Sequence, residues 1–414
     1  MNDAVKTPSG TKWLVFLSLA LLLGALLRLS FPGDIEYKGD EKYMFETSQK
    51  IGVTESWPLL GMTSGVGAKN PGMSVWIFAV LAKITQAATP PELARGVQLL
   101  NILGLFVLAF FSFFVLPEPE KRTWCWATAL AAVNPMAILF HRKIWAQSTL
   151  PFFCVLLWIA WHYRHKRTGA FFWGLIGICL GQIHLPGFFL AGGIILWTAL
   201  HDRQVRWGSW LLGSLAGVIP MIPWLQYMIA KPGNGITGLN FWWIFCPSYW
   251  FYWVTDSLGV ALKYSLKTNH FLDYLSYPLI GGKGIYLVAG LHIVIIGTGI
   301  LMLVSTKKTG GLWQGFWDVS ETGLAINSVF IASGILMTLS CFEVCRHYLI
   351  VSFPMEWVWL SRLGLRDERL GQRRLMVIWI AQLLISASFL IYIHLNHGDP
   401  SGHYGMAYQF QSPQ

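Results

Sequence analysis

The sequence predicts an all-helical integral membrane protein that forms one polytopic domain over residues 1–414. Hydrophobic residues make up 54% of the chain and charged residues only 12%, whereas soluble domains carry about 25% charged residues. The net charge of +10 comes from Lys and Arg in short loops between apolar runs. Membrane topology alone produces this distribution, so the charge does not indicate a nucleic-acid-binding protein.

Eleven apolar runs approach the about 20 residues that a bilayer-spanning helix needs. They cover residues 13–31, 95–116, 123–140, 146–162, 168–183, 185–200, 207–229, 284–305, 323–341, 347–361 and 375–394. The first run is longer than a signal-peptide core and lacks a convincing small-residue cleavage site, so we expect a retained helix. A twelfth run, 71–88, is short and carries Lys83 and Gln86.

The positive-inside rule decides whether residues 71–88 span the membrane. With eleven spans and a cytoplasmic N-terminus, every strongly basic loop lies inside. These loops are 118–122, 162–167, 201–206, 305–310 and 361–374. Counting 71–88 as a span, with the N-terminus still in the cytoplasm, moves all of these loops outside. A twelve-span chain with an external N-terminus keeps them inside but puts the N-terminal lysines outside. We therefore expect about eleven spans, with 71–88 as an interfacial helix.

This topology predicts a multi-pass protein of the plasma (inner) membrane with three long segments on its extracytoplasmic face. They are a first loop (32–94), an aromatic-rich loop (230–283) and a tail (395–414). The aromatic side chains of the second loop could anchor it in the interface or stack on sugar rings. The tail could be disordered, which is usual for termini, or fold back over the outer end of the bundle.

The first outer loop concentrates acid, because five of the 20 Asp and Glu residues fall within residues 33–50. They are Asp34, Glu36, Asp40, Glu41 and Glu46. From Gly39 onwards the segment predicts a short amphipathic helix with Asp40 at its N-cap or first turn, where a carboxylate often only caps the helix. We expect Asp34, Glu36 and Glu46 to be solvated charges.

Two short outer loops break the positive-inside trend with Arg142 and Lys143 in one and Arg346 and His347 in the other. Such charges could reach lipid headgroups, but charges that topology does not explain are also candidates for function. A carboxylate can act as a general base, and cations can hold a phosphate and stabilise it as a leaving group. The combination predicts chemistry on a lipid-linked phosphate.

These residues resemble motifs of the GT-C membrane glycosyltransferases, specifically the group of protein O-mannosyltransferases and lipid A aminoarabinose transferases. GDEKY at 39–43 resembles the Asp-Glu pair of that family's first extracytoplasmic loop. Weaker likenesses follow in the same order at 69–84, 134–153, 177–190 and 346–354. The resemblance implies an enzyme that transfers a sugar from a polyprenyl-phosphate donor to a lipid, glycan or protein acceptor, outside the cytoplasm and with inversion.

The resemblance also implies roles for individual residues. Asp40 would be the catalytic base, and Glu41 would orient the acceptor or the sugar. We expect the substrate-binding residues to be Lys69, Arg142, Lys143, His184, Arg346, His347, Tyr348 and Tyr404. His184 stands where the aminoarabinose-type enzymes have a lysine that contacts the donor phosphate, which favours a different donor. Gln147 stands where an Asp is common, so we assign it no role.

No metal is assigned, although Asp34, Glu36, Asp40 and Glu41 could in principle coordinate Mg²⁺ or Mn²⁺. The six cysteines show no metal-ligand spacing. Two other functions compete with transfer. A flippase of lipid-linked sugars would need more polar residues deep in the spans than this sequence has, and a glycan polymerase or ligase would rely on Arg and His in a large loop.

Overall fold

The computed structural model describes residues 10–118, 120–231, 237–308 and 311–411. Almost all of its regular structure is helical. The helices up to residue 162 are α1 (Gly10–Leu29), α2 (Gly39–Lys50), α3 (Met73–Thr85), α4 (Pro90–Phe110), α5 (Glu120–Val133), α6 (Pro135–Phe140) and α7 (Leu150–His162). Those up to residue 275 are α8 (Arg167–Ile183), α9 (Pro186–His201), α10 (Trp207–Val218), α11 (Ile222–Ala230), α12 (Ser248–Leu258) and α13 (Lys263–Leu275).

The remaining helices are α14 (Leu287–Lys308), α15 (Gly311–Phe316), α16 (Glu321–Asn327), α17 (Gly334–Leu339), α18 (Met355–Leu365) and α19 (Gly371–Leu395). Three short antiparallel strand pairs lie in the loops. They are β1 (Leu60–Thr63) with β2 (Lys69–Pro71), β3 (Leu279–Ile280) with β4 (Lys283–Gly284), and β5 (Gly398–Asp399) with β6 (Gly405–Met406).

Six helical segments in the described residues are long and apolar enough to cross a membrane. They are Gly10–Leu29, Pro90–Val115, Trp207–Ala230, Leu287–Lys307, Glu321–Leu339 and Gly371–Leu395. All six fall on predicted apolar runs, so the chain is a multi-pass helical membrane protein. The count of eleven spans stays a prediction, because the other runs form shorter or interrupted helices.

The interruptions have local causes in the sequence. The run at 123–140 breaks at Asn134, whose side chain accepts hydrogen bonds from the backbone N–H groups of Met136 (2.9 Å) and Ala137 (3.1 Å). This is N-cap geometry, and Pro135 follows at the first helical position, where its missing N–H has no cost. The run at 347–361 likewise begins as a 3₁₀ helix, Arg346–Ser352, before α18.

Close packing between helices relies on small residues, which substitute in membranes for a hydrophobic driving force between helices. The pair α8 and α10 is the clearest case. A Cβ atom at Gly174 or Gly213 would collide with the backbone carbonyl of Trp210 or Phe171. The backbones of these two helices therefore touch, and substitution of either glycine would separate them.

The loops fall into two groups at opposite ends of the helices. The first group, here called the Glu36 end, comprises residues 30–89, 141–149, 184–187, 260–266, 343–348 and 397–411. Its members are joined by an ion pair between Glu36 and Lys143, ring contacts between His184 and His347, and a hydrogen bond from the Gln409 N–H to the Gly33 carbonyl.

The second group, here called the Arg164 end, comprises residues 120–122, 162–167, 201–206, 305, 318–322 and 361–374. Arg164 pairs with Asp202 and Glu321, and Arg374 donates to Ser305. The two groups match the loops that the sequence assigns to the outer and inner faces. Their orientation in a cell stays a prediction.

The interfacial helix expected at 71–88 is α3, which has 13 residues and is too short to cross a bilayer. It packs against α2 and α4. Its buried side chains include Val75, Phe78, Ala79 and Ala82. These apolar contacts fix the first loop, and with it α2, against the Glu36 end of the bundle.

Candidate active site

Helix α2 begins at Gly39, as the sequence predicts, and its two adjacent acidic residues, Asp40 and Glu41, have different surroundings. Glu41 is buried, and its Oε2 accepts a hydrogen bond from the Lys38 backbone N–H at 3.2 Å. The N-cap position is Lys38, so Asp40 does not cap the helix. Asp40 is exposed, and within the described residues no hydrogen bond or ion pair holds its carboxylate.

The carboxylate of Glu36 lies at the centre of the site. It pairs with the ammonium of Lys143 and, at 2.7 Å, with that of Lys38. The side chains of Glu36 and Lys143 are only 2% and 4% exposed. The expectation that Glu36 is a solvated loop charge is therefore wrong, whereas Glu46, on the outer side of α2, is 52% exposed as expected.

The same correction applies to Asp34, which is buried beneath the tail. Its carboxylate accepts hydrogen bonds from Gln409 and faces His394 Nδ1 at 2.8 Å, and its carbonyl accepts from the Tyr404 hydroxyl. The Tyr408 N–H also donates to the Ile35 carbonyl at 3.0 Å. Of the two alternatives for the tail, folding back over the outer loop is the one observed.

Lys143 connects the carboxylates to a group of rings, here called the histidine group (His184, His347 and Tyr348). Its ammonium lies 4.2 Å from the centre of the Trp145 ring, and Trp145 contacts His347 at 5.6 Å between centroids. His184 lies 5.9 Å from His347. Four residues predicted to bind substrate are thus brought together.

Burial changes the protonation of this group. It lowers the pKa of His184 to about 3, and His347 adds to that effect. It also lowers the pKa of His347 to about 4, with a further contribution from Lys143. Both rings are therefore neutral at physiological pH. His184 Nε2 is buried and has no hydrogen-bond partner within the described residues, so a ligand that reached it would supply the missing partner.

The pKa values of the neighbouring carboxyls, Asp40 and Glu41, shift upwards. Burial, reinforced by Glu36 and opposed by Lys143, raises the pKa of Glu41 to about 7. Partial burial also raises the pKa of Asp40, and Lys38 opposes this rise. Glu41 Oε1 is buried without a hydrogen-bond partner in the described chain. Carboxyls with raised pKa values at an unsatisfied site are suited to proton transfer near neutral pH.

A cavity of about 620 Å³ opens beside these groups, between α12, α13 and the 3₁₀ helix at 346–352. Arg346 forms part of its wall. The guanidinium donates to Thr255 Oγ1 at 2.9 Å, pairs with Asp256, and lies 4.3 Å from the centre of the Tyr252 ring. The cavity is lined by Phe251, Tyr252, Thr255, Val260, Ala261, Lys263, Tyr264, Glu343, Cys345, Arg346 and His347.

The hydrogen bonds of Arg142 indicate that it stabilises the fold. Its guanidinium donates hydrogen bonds to the backbone carbonyls at the end of α1, those of Leu27, Arg28, Ser30 and Phe31, at 2.6–3.0 Å. Helix C-termini leave such carbonyls without intrahelical partners. Arg142 therefore fixes the start of the first outer loop, which carries the acidic residues.

Lys69 and Tyr404 lie at the edges of the site. Lys69 is on β2, where its carbonyl accepts a hydrogen bond from Trp224 Nε1 at 2.7 Å. No contact recorded for the described residues joins its ammonium to the histidine group. Tyr404 is 5% exposed and fastens the tail to the first loop.

Sequence reasoning missed Tyr264, whose hydroxyl lies 3.5 Å from His347 Nδ1, and Asp256, the partner of Arg346. Both belong to the aromatic-rich loop at 230–283. Tyr264 could not be recognised from the sequence, because it is one of many aromatic residues in this loop. An Asp in an apolar, aromatic segment was the one available sign.

Two of the four carboxylates considered as metal ligands are held by other side chains. Among the described residues, no group of three or more His, Cys, Asp or Glu side chains is arranged to hold a metal ion. Asp34 instead faces His394 and Gln409, and Glu36 is paired with two lysines.

Comparison with solved structures shows what this fold resembles. ArnT from Cupriavidus metallidurans bound to undecaprenyl phosphate aligns with a TM-score of 0.55 and 12% identity, over 93% of this chain and 78% of that one. ArnT from the same organism in the apo state aligns with a TM-score of 0.47 and 14% identity, over the same shares of the two chains. The oligosaccharyltransferase of Archaeoglobus fulgidus in its apo form aligns with a TM-score of 0.44 and 13% identity, over 98% of this chain and 57% of that one.

The first of these alignments shows that the chain shares the fold of ArnT, in line with the expectation from the sequence motifs. At this level of identity the likeness concerns the fold, and the site has to be argued from the residues of this chain. No family model matches the sequence, and no curated protein matches it.

Proposed function

We propose that this protein is a membrane glycosyltransferase that moves a sugar from a polyprenyl-phosphate donor to an acceptor on the extracytoplasmic face. One observation carries the proposal. At the Glu36 end of this fold, Lys143 pairs with Glu36, whose carboxylate helps to raise the pKa values of Asp40 and Glu41. The ammonium of Lys143 also lies on the ring of Trp145, which contacts His347. The undecaprenyl phosphate in the ArnT structure supports a lipid phosphate as the donor's anchor.

The carboxyls would activate the acceptor. Asp40 is exposed and unpaired in the described chain, so it can approach an acceptor hydroxyl or amine and take its proton as general base. Glu41 is held by the Lys38 N–H through one oxygen. Its second oxygen remains to orient the acceptor or to bond a sugar hydroxyl.

Lys143 and the histidine group would hold the donor phosphate. The bond between the anomeric carbon and the phosphate oxygen breaks, and the phosphate leaves with the bonding electrons. Lys143, the ring N–H groups of His184 and His347, and the Tyr348 hydroxyl can stabilise this growing negative charge. Because the acceptor attacks from the opposite side to the phosphate, the configuration at the anomeric carbon is inverted.

The other predicted substrate residues take different parts in this proposal. Arg142 and Tyr404 position the first loop, through the end of α1 and the tail respectively. Arg346 is a wall residue of the neighbouring cavity. Lys69 lies towards the periphery, where an ammonium could meet the acceptor or a lipid headgroup.

Reconstitution tests the proposal. Purified protein in liposomes is given a labelled polyprenyl-phosphate sugar and a panel of lipid, glycan and peptide acceptors. We expect Asp40→Asn to slow transfer by about 10²–10⁴, the usual contribution of a general base. Glu46→Gln, an exposed carboxylate on the same helix, is the matched control and leaves the rate unchanged.

Three outcomes would count against this account. Undiminished transfer by Asp40→Asn would remove Asp40 as the base. Movement of labelled donor across the bilayer by the wild-type protein, without transfer to any acceptor, would favour the flippase. Extension of a glycan chain by repeated addition would instead indicate the polymerase.

A further inference from the structure

The cavity beside the histidine group has no role in the phosphate chemistry described above. Its volume, about 620 Å³, lies within the roughly 300–1,000 Å³ typical of small-molecule sites. It opens at the Glu36 end of the bundle, where His347 belongs both to its wall and to the histidine group. Anything bound there would therefore lie next to the proposed phosphate site.

The charges on the cavity wall cancel. The guanidinium of Arg346 is paired with Asp256 and bonded to Thr255. Lys263 and Glu343, both exposed, contribute one charge of each sign. A wall of this kind offers no net attraction to an anionic or a cationic ligand, and a charged ligand would lose hydration on entry without compensation.

The remaining wall combines aromatic rings with hydroxyl groups. Phe251, Tyr252 and Tyr264 supply the rings, and Val260 and Ala261 supply small apolar surfaces. The hydroxyls of both tyrosines and the carboxylate of Glu343 can bond polar groups at the edge of a ligand. A pyranose presents this complementary pattern, because its C–H faces stack on aromatic rings while its hydroxyls lie around the rim.

Tyr264 connects the cavity to the reacting groups. Its hydroxyl lies 3.5 Å from His347 Nδ1, and its ring stacks on that of His403 in the tail at 6.2 Å between centroids. Burial raises the pKa of Tyr264, and the nearby carboxylate of Glu36 adds to this rise. A ring bound in the cavity can thus keep one end close to Lys143, the partner of Glu36.

We propose that this cavity binds the sugar of the donor and selects an uncharged, hydroxyl-rich ring, with the donor phosphate outside the cavity on Lys143 and the histidine group. This inference rests on the proposed function for the identity of the donor. It adds the class of sugar, which neither the fold nor the phosphate site specifies.

Two cysteines of the native chain provide the test. Cys345 lines the cavity, whereas Cys341, four residues earlier in the sequence, does not line it, and both are partly exposed. The purified protein is treated with N-ethylmaleimide, and the alkylation rate of each cysteine is followed by peptide mass spectrometry. Lys263→Cys, at the rim of the same cavity, provides a second reporter.

Occupancy of the cavity should protect Cys345 selectively. We expect a polyprenyl-phosphate hexose to slow its alkylation at least fivefold, and bare polyprenyl phosphate to slow it less than twofold. A methyl hexoside at high concentration should also protect Cys345, whereas a methyl hexuronoside or an amino sugar at equal concentration should not. The rate at Cys341 should stay constant throughout.

A pair of variants measures the contribution of the wall to affinity. The quantity compared is the ratio of the dissociation constants for bare polyprenyl phosphate and for the hexose-bearing donor. We expect Tyr252→Leu to reduce this ratio at least threefold and Tyr252→Phe to preserve most of it. Trp242→Leu, at a 73% exposed aromatic outside the cavity, should leave the ratio unchanged.

The outcomes separate this inference from the proposed function. Sugar transfer with equal protection of Cys345 by the hexose donor and by bare polyprenyl phosphate would overturn the sugar site and leave the transferase intact. Equal protection by charged and uncharged sugars would overturn the selectivity. Protection by the hexoside in a protein that shows no transfer would support the sugar site and contradict the proposed function.

Discussion

The two ends of the bundle carry ionic clusters with opposite character. At the Arg164 end, Asp202 meets Arg164 Nε at 2.6 Å and His165 Nε2 at 2.7 Å. Although burial acts to raise the pKa of Asp202, hydrogen bonds from His165, Gln204 and Arg164 lower it. At the Glu36 end, burial raises the pKa of Glu41 to about 7, and one of its oxygens is unpartnered in the described chain.

The difference separates a structural cluster from one prepared for a ligand. Arg164, Asp202 and Glu321 satisfy one another's charges and join three loops at the Arg164 end, which stabilises the fold. Polar groups at the Glu36 end, such as His184 Nε2 and Glu41 Oε1, are buried with no partner in the described residues. Such groups cost free energy in the isolated protein, and a bound substrate can recover it.

The largest effect should come from breaking the satisfied cluster. Arg164 and Asp202 are 5% and 9% exposed, and removal of one partner of a buried pair costs about 3–5 kcal/mol. We expect Arg164→Gln to lower the free energy of unfolding by this amount, measured by denaturation in detergent. Arg203→Gln, at an exposed arginine of the loop that carries Asp202, should have little effect.

The contrast between the two ends would be contradicted if Arg164→Gln also changed the affinity of the folded protein for the donor. Donor binding is therefore measured on the same preparation, at a temperature where the variant remains folded. An unchanged dissociation constant is the expected result.

The corresponding change at the Glu36 end should weaken ligand binding, in addition to the stability that is lost when the buried carboxylate of Glu36 loses Lys143. A hydrogen bond to a charged group contributes about 1.5–3 kcal/mol, so Lys143→Gln should weaken binding of polyprenyl phosphate by about 10- to 100-fold. Lys50→Gln on the exposed side of α2 controls for the loss of a positive charge. Equal weakening by both variants would indicate general attraction to an anionic lipid rather than a site.

The pH dependence of transfer follows from Glu41. Its pKa is raised to about 7, so its ionised form increases as pH rises through that value. If the ionised carboxylate orients the acceptor, the rate should rise about tenfold per pH unit below pH 7 and level off above it. In Glu41→Gln this step should disappear, leaving a lower rate that does not change near pH 7.

The smallest effect should come from the tail. Removal of the Tyr404 hydroxyl leaves the buried carbonyl of Asp34 without one of its donors, a loss of about 1–3 kcal/mol. We expect Tyr404→Phe to accelerate hydrogen exchange of the amides in residues 397–411. Tyr286→Phe, at a 64% exposed tyrosine, should leave exchange in this segment unchanged.

Much of the framework was predictable because it depends on local sequence. The long helices follow from apolar runs, α2 follows from the amphipathic pattern after Gly39, and the grouping of loops follows from their charge. Asp40 and Glu41 were predicted as candidates through a motif of adjacent residues, which stands out in the sequence regardless of the tertiary fold.

The surroundings of the site could not be predicted in the same way. Asp34 and Glu36 are buried because the tail, more than 360 residues later, covers them. Tyr404 and Gln409 bond to Asp34, and Ala407 pairs with Glu36. Arg142 is occupied by carbonyls more than 110 residues away. The cavity combines side chains from three separate segments, Tyr252, Tyr264 and Arg346 among them. No sequence pattern specifies contacts of this range.

The central claim is that the Glu36 end, and not the Arg164 end, holds the lipid phosphate. Photo-crosslinking tests it directly, with a polyprenyl phosphate that carries a diazirine next to its phosphate. We predict adducts on peptides that contain Lys143 and His347, and their loss when unlabelled polyprenyl phosphate competes. Competable adducts confined to the loops that contain Arg164 and Arg362 would contradict the account.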